Sequence, residues 1–313
     1  MNNQSQVLCL MGPTASGKTA LALQLAQHYP CQIISVDSVM VYRGLDIGAA
    51  KPTADEQAIA PHRMIDLCQP WDVYSVGRFF DDVVIEINEV LRAGDVPLLV
   101  GGTMQYFHRL QQGIAVLPAA DSNVRQRLEL QAAEQGWAAL HAELTDVDPV
   151  SAARIHQNDS QRIQRALEVW QISGRTLTDW ISKKPQNHHD FCFHNAILWP
   201  SERKWLHARI AQRFQHMHQE GLVDEVSKLL KCDQIHTDLP ALRSVGYRQV
   251  IQFLQGELSQ QAMIDAGIVA TRQFAKRQCT WLRAWSDASF LAVNEIECPT
   301  WQHEYFKQFF DKC

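Results

Sequence analysis

The chain has 313 residues, 46% of them hydrophobic, and a formal net charge of −5 from 29 basic and 34 acidic side chains. This length points to two domains with a sizeable core, and the charge argues mildly against a protein coated for nucleic acid, although not against one with a local basic groove. Eight cysteines are scattered without C-x-x-C or Cys/His zinc spacing, which reads as reduced thiols in a cytoplasmic enzyme, and no run has the pattern of a secretory signal or the length of a membrane span.

Residues 7–11 form an apolar run that reads as the first strand. It stops at Gly12-Pro13-Thr14-Ala15-Ser16-Gly17-Lys18-Thr19, which fits G-x-x-x-x-G-K-[ST], and residues 18–29 follow as a helix, the strand–loop–helix context that this motif requires. Glycines let consecutive amide N–H groups converge on an anion, and the helix start aims its positive end at the same point. Lys18 adds a full charge, and Thr19 a hydroxyl suited to Mg²⁺. The loop is expected to hold a diphosphate or triphosphate; the motif does not say what the phosphate is attached to. Residues 32–37 read as a second buried strand ending in the Asp37 carboxylate. Open α/β sheets place ligands beyond the carboxyl ends of their strands, so Asp37 is expected near the phosphate loop. Residues 38–52 carry glycines and mixed polarity and read as a substrate loop; residues 62–66 read as a short extended piece. Residues 75–92 have apolar side chains at helical spacing and close at Gly94. Residues 96–100 form a buried strand, and Gly101-Gly102-Thr103 leads into a helix over 104–111.

The character changes near Leu117-Pro118: residues 122–184 are nearly all helical, with breaks at Gly136, Asp148-Pro149 and Gly174. A polar break follows at 187–190, where the His188-His189 pair reads as solvated loop, and residues 194–199 return to strand character. A helical block interrupting an α/β sheet suggests an insertion. The expected fold is α/β: a P-loop NTPase-like parallel sheet flanked by helices, with residues 1–117 and 194–313 as the core domain and a small all-helical inserted domain over 118–193. The remainder is helical over 201–285, with a last strand at 290–293. On the tail helix Arg272, Lys276 and Arg283 fall within roughly 40° of one another, with Phe274, Trp281 and Trp285 opposite. Spacing favours a buried aromatic face with a solvated basic face over a ridge that tracks a phosphate backbone.

A P-loop enzyme that moves a γ-phosphate usually carries an aspartate at the end of another strand for Mg²⁺. Here the strand over 96–100 ends in Gly101-Gly102-Thr103, and no N/T-K-x-D string for guanine occurs. A small-molecule kinase with Asp37 as base stays open.

The strings GPTASGKT, ISVDSVMVYRGLDIGAAKP, HRMIDLCQPWDVYSVGRF, PLLVGGTMQYF, NDSQRIQRALEV, RSVGYRQ and ATRQFAKRQCTWLR occur in this order between Val7 and Trp285. Together they resemble the bacterial tRNA dimethylallyltransferases, also called tRNA isopentenylpyrophosphate transferases. The resemblance implies transfer of a dimethylallyl group from dimethylallyl diphosphate to the exocyclic amino group of the adenine 3′ of the anticodon, in tRNAs reading codons that begin with U, with Mg²⁺ as cofactor. It assigns the loop Gly12, Pro13, Thr14, Ala15, Ser16, Gly17, Lys18 and Thr19 to the diphosphate, which is then the leaving group. Lys18, Arg213 and a metal ion at Thr19 would stabilise its developing charge, and Asp37 would accept the amine proton. Arg209 matches the partner of Arg213 in a paired-arginine pattern. The implied tRNA contacts are Asp37, Ser38, Val39, Met40 and Thr103 at the target base. For the anticodon stem-loop they are Gln161, Arg162, Ile163, Gln164 and Arg165 on the insertion, Arg243, Ser244, Val245, Gly246, Tyr247 and Arg248, and Lys276, Arg277 and Arg283. The base must leave its stack to be alkylated. One departure is Ala49, where the family string commonly has threonine. The chain is expected to act as a monomer, without a membrane and without the zinc-finger extension of eukaryotic relatives. The competing readings are an ATP-dependent small-molecule kinase and a non-catalytic tRNA-binding protein.

Overall fold

The computed structural model describes residues 5–115, 117–182, 190–293 and 300–311, with the side chains of the last segment described from Glu304. The polar stretch with His188-His189 lies outside them, apart from Asp190. Six strands form one sheet: β1 (Ser5–Met11), β2 (Cys31–Val36), β3 (His62–Arg63), β4 (Val96–Gly101), β5 (Phe191–Pro200) and β6 (Ala288–Val293). Their order is β3-β2-β4-β1-β5-β6, and every pairing is parallel. Strands buried on both faces need continuous apolar runs rather than alternation, and Val7, Leu8, Cys9, Leu10 and Met11 are all without exposed surface.

The helices of this unit are α1 (Lys18–His28), α2 (Ala54–Ile59), α3 (Val76–Arg92) and α4 (Met104–Gln112). One side of the sheet packs Leu8, Leu10, Ile33 and Leu98 against Leu21 and Leu25 of α1. The helix α3 packs against β2 and β4, burying Phe79, Phe80, Val83, Ile87 and Val90 at the helical spacing read from the sequence. Five further helices, α5 (Ser122–Gln135), α6 (Trp137–Val147), α7 (Pro149–Arg154), α8 (Ser160–Ser173) and α9 (Leu177–Ser182), follow α4. After β5 come α10 (Arg203–Gln219), α11 (Leu222–Leu229), α12 (Tyr247–Leu254), α13 (Gln260–Arg283) and, beyond β6, α14 (Thr300–Phe310). The helix α14 has no counterpart in the sequence reading; its Phe306 and Phe309 are buried in the sheet core, and Phe310 stacks on Tyr29 with centroids 4.2 Å apart. The strands β5 and β6 also start earlier than the sequence suggested, at Phe191 and Ala288.

The chain divides into two compact units, Met1–Gln111 with His189–Cys313, and Gln112–His188. The second has its own core of Val124, Leu128, Leu140, Leu144, Ile163 and Leu167. Its buried Glu168 carboxylate accepts hydrogen bonds from Arg125 Nε at 2.8 Å, Arg165 Nη1 at 2.6 Å and the Asp121 backbone N–H at 2.9 Å. Burial raises the Glu168 carboxyl, but these donors outweigh it and hold the group below its ordinary value. Its contribution is therefore present above the pH at which the unfolded carboxyl ionises and is lost as pH falls through the lower folded value. Glu168→Ala should destabilise this unit by roughly 2 kcal/mol near neutral pH, because two arginines lose a buried acceptor. Denaturant unfolding at pH 7 and in mild acid measures it; equal losses at both would remove the carboxylate from this role.

Candidate active site

Three neighbouring strands end at the same level. Val36 of β2 and Met11 of β1 both face Gly101 of β4 across the ladder. The chain leaves β1 toward β2 on one side, while from β4 it crosses to β5 on the other. Connections that diverge in this way open a crevice at the carboxyl ends. The phosphate loop follows β1, Asp37 follows β2 and Gly102-Thr103 follows β4, and all three line one cleft.

The loop's shape depends on close approaches. Gly17 has φ 95° and caps α1 without a side chain, which leaves the first amides of the helix for an anion. A Cβ on Gly12 would lie 2.9 Å from the Leu198 carbonyl oxygen. On Gly101 it would lie 2.0 Å from the Val36 carbonyl oxygen, and on Gly102 2.4 Å from Gln278 Nε2. A side chain therefore has no room at Gly101, and one at Gly102 would displace the Gln278 amide.

Lys18 Nζ donates to the Gly12 and Pro13 carbonyls at 2.9 and 2.7 Å. Lys18 is half-buried and lines the cleft. Burial, reinforced by the Arg213 cation and opposed by Asp37, pushes the ammonium down to about 7. Arg213, on α10, lines the same cleft, and burial also lowers its guanidinium, with Asp37 favouring the charged form. Two half-buried cations beside one carboxylate make a site suited to a multiply charged anion. Asp37 Oδ1 accepts from the N–H groups of Val39 at 2.8 Å and Met40 at 3.2 Å, which fixes the carboxylate against its own loop. The Thr103 hydroxyl accepts from the Ser38 N–H at 3.2 Å, tying the β2 and β4 loops together.

One positioning residue escaped the sequence reading, and Arg209, expected only as the partner of Arg213, takes a positioning role as well. Gln278 of α13 is buried; its Oε1 accepts from the Thr14 N–H at 2.9 Å, and its Nε2 donates to the Gly102 carbonyl at 2.7 Å. It bridges the phosphate loop and the β4 loop, and the signal for it was an amide on the helix face that is otherwise small or apolar. Arg209 donates from Nε to the Ala15 carbonyl at 2.8 Å and stacks over Trp205. It holds a loop residue whose φ is 63°, rather than standing in solvent. The loop over residues 38–52 is pinned too: Glu225 accepts from the N–H groups of Asp46, Ile47 and Gly48 and from the Tyr247 hydroxyl. Lys51 donates to Asp46, Asp66 and the Tyr42 carbonyl. Gly48 and Ala49 then form part of the cleft wall.

Of the remaining expected nucleic-acid contacts, Ser38, Val39, Met40, Thr103, Ser244, Val245 and Gly246 line the cleft. Tyr247 does not: it has no exposed surface and its hydroxyl is given to Glu225. Ile163 is likewise core, because the α8 register that exposes Gln161 and Arg162 turns it inward. Gln164 is engaged with Glu129, and Arg165 with Glu168 and the Pro118 carbonyl. Arg162 is 72% exposed beside Asp159. Arg243 and Arg248 line a separate depression, where Arg243 faces Asp238. The expectation of a buried aromatic face on α13 is corrected. Its buried side is Met263, Gly267, Ile268, Ala275, Gln278 and Leu282, while Trp281 is 45% exposed. Small residues are needed there because α10 and α12 pack closely on it. Lys276, Arg277 and Arg283 are exposed, with Arg277 over Phe274 and Arg283 over Trp199.

Among the described residues no helix is long and apolar enough to cross a membrane. A parallel sheet with a phosphate loop, half-buried cations and a held carboxylate at its switch point defines a P-loop α/β enzyme. Residues 40–285 match the family described as IPP transferase. A tRNA dimethylallyltransferase of Legionella pneumophila (strain Lens) is 51% identical over 284 residues, 91% of this chain and 90% of the relative. One of Coxiella burnetii (strain Dugway 5J108-111) is 48% identical over 98% of this chain and 99% of the relative. The crystal structure of the full-length tRNA isopentenylpyrophosphate transferase from Bacillus halodurans superposes with a TM-score of 0.72 at 31% identity, covering 99% of this chain and 98% of that one. A eukaryotic dimethylallyltransferase acting on tRNA shares the fold, with a TM-score of 0.80 at 23% identity over 97% of this chain and 77% of that one. The chain belongs to the IPP transferase family.

Two measurements probe this geometry. An anion at the loop restores the Lys18 charge, so diphosphate binding above pH 7 should take up a proton. Calorimetry in buffers of different ionisation enthalpy should show this uptake, and Lys18→Met should abolish it. By the same linkage the ligand-free protein should gain stability from about pH 7 toward about 10, since the unfolded lysine keeps its proton through that window. Gln278→Leu should raise the Kd for inorganic diphosphate roughly tenfold, because the Thr14 amide loses its buried acceptor. An unchanged Kd would reduce Gln278 to packing.

Proposed function

We propose that this enzyme transfers a dimethylallyl group from dimethylallyl diphosphate to the exocyclic amino group of the adenosine 3′ of the anticodon, in tRNAs reading codons that begin with U. The observation that carries the reading is the cleft itself. A phosphate cradle with Lys18 and Arg213 sits beside Asp37, and glycines occupy the positions where a phosphoryl-transfer enzyme would keep its metal-binding aspartate. Its family membership and its relatives' names point the same way. A tRNA substrate places the work in the cytoplasm.

In the reaction the allylic C–O bond breaks, and its electron pair leaves with the diphosphate. The loop amides, Lys18 and Arg213 would stabilise that growing charge. The adenine amino group forms the new C–N bond, and its proton passes to Asp37 Oδ2, since Oδ1 is engaged by the Val39 and Met40 amides. Thr19 and Asp37 both present hard oxygen atoms to the cleft, which suits Mg²⁺. Among the described residues no group of three or more His, Cys, Asp or Glu side chains could hold a metal, so Thr19 and the diphosphate oxygens would be its main ligands. When bound, the ion supplies neutralisation of the leaving group. Arg162, Lys276, Arg277 and Arg283 are the exposed cations offered to the tRNA backbone, against a net charge of −5.

Incubation with bulk tRNA, dimethylallyl diphosphate and Mg²⁺, followed by digestion to nucleosides, should give isopentenyladenosine. Formation of ADP with a small acceptor instead would establish the kinase reading, and tRNA binding without product the non-catalytic one. Asp37→Asn should lower kcat by about 10²–10⁴ with tRNA affinity little changed; near-normal turnover would remove Asp37 as the base. Lys276→Ala and Arg162→Ala should each reduce the salt slope of tRNA binding by about one unit. Titration at several salt concentrations checks this, with unchanged slopes assigning both residues to solvated faces.

A further inference from the structure

Beside the charged end of the cleft lies an apolar end that the chemistry above does not use. Along α10, Ile210, Phe214 and Met217 repeat at helical spacing and line the cleft next to Arg213. Phe274 of α13 also lines it. Phe214 is 3% exposed and reaches α13 at Gly267. There an added Cβ would lie 2.0 Å from Cζ and 2.4 Å from Cε2 of the ring. The ring tip therefore sits in a notch that exists because residue 267 has no side chain. The same ring passes Gly246, where a Cβ would lie 3.9 Å from Cε2. Phe214 is thus packed tightly at Gly267 and lies beside Gly246.

We infer that Phe214, seated in the Gly267 notch, sets the depth of the apolar end of the cleft and restricts the donor to five-carbon prenyl groups. The inference rests on the prenyl-transfer reading. With the diphosphate against Lys18 and Arg213, the hydrocarbon of the donor must run along the α10 face. Arg213 and Phe214 line the same cleft, so a short chain held by its diphosphate at Arg213 meets the ring after its first carbons. A longer allylic diphosphate reacts by the same bond exchange: its C–O bond breaks, the C–N bond forms and diphosphate leaves. It needs only apolar volume, and apolar pockets discriminate by about 10–200-fold per methylene-sized difference.

The test offers equimolar dimethylallyl and geranyl diphosphate with saturating tRNA and reads the ratio of the two modified nucleosides by mass. Phe214→Ala should shift the ratio toward the ten-carbon product by about tenfold or more, and Phe214→Leu should shift it less in the same direction. Gly267→Ala drives the ring out of its notch into the cleft and should raise KM for the five-carbon donor about tenfold or more with KM for tRNA unchanged. Ratios within about twofold of the unmodified protein for the Phe214 variants overturn the inference, as does an unchanged donor KM for Gly267→Ala. If Phe214→Ala fails to fold in a thermal melt, the Leu and Gly267 variants decide. An unmodified protein that uses neither donor overturns the prenyl-transfer reading itself, which is a different result from a wrong ratio.

Discussion

The site depends on one close approach between backbones. At Gly101 the chain of β4 passes so near the Val36 carbonyl that no side chain fits between them. This contact lets the ends of β2, β4 and β1 lie level, which brings Asp37, Thr103 and the phosphate loop to one crevice. The neighbouring Gly102 makes the same kind of room for Gln278. The two glycines therefore shape the crevice, and Gly101 leaves no room for a side chain at the end of β4.

Around that crevice the polar groups are arranged so that the cations are left without a full complement of anions. Lys18 leans on two carbonyls and is lowered to about 7, and Arg213 is lowered as well. The carboxylates nearby are committed elsewhere: Asp37 to its own loop, Glu225 to the wall at residues 46–48. A ligand with several negative charges is then favoured over chloride or a single carboxylate, because only it relieves both cations at once. The wall around Glu225 and Lys51 keeps the opposite side of the cleft rigid, so binding energy need not be spent on ordering it.

The acidic balance of the whole chain and its basic local surfaces are compatible because the charges are sorted. Glu168 pairs with Arg125 and Arg165 within the helical unit. Arg162 on that unit, and Lys276, Arg277 and Arg283 along α13, remain outward. Neighbours in one string, such as Arg162 and Arg165, therefore have different work although they look equivalent in sequence.

The sequence determined the phosphate loop, the buried strands, the amphipathic α3 and the helical insertion. Each is a local pattern: a glycine-spaced loop, a continuous apolar run or a helical period, set by the backbone's own geometry. It also placed Asp37 at a strand end, which the general rule for open sheets converts into proximity to the loop. It could not decide which face of α8 or α13 is buried, because small residues such as Gly267 and Ala275 carry little hydrophobic signal and become buried through close helix packing. Hence the α13 aromatics had to be reassigned, while Ile163 of α8 and Tyr247 at the start of α12 are core residues. Gln278, Arg209 and Glu225 acquire their roles only through partners distant in sequence, and a hydrogen bond from residue 278 to residue 102 leaves no periodicity to read. Tertiary structure alone decided which polar side chains hold the cleft and which are free to face a substrate.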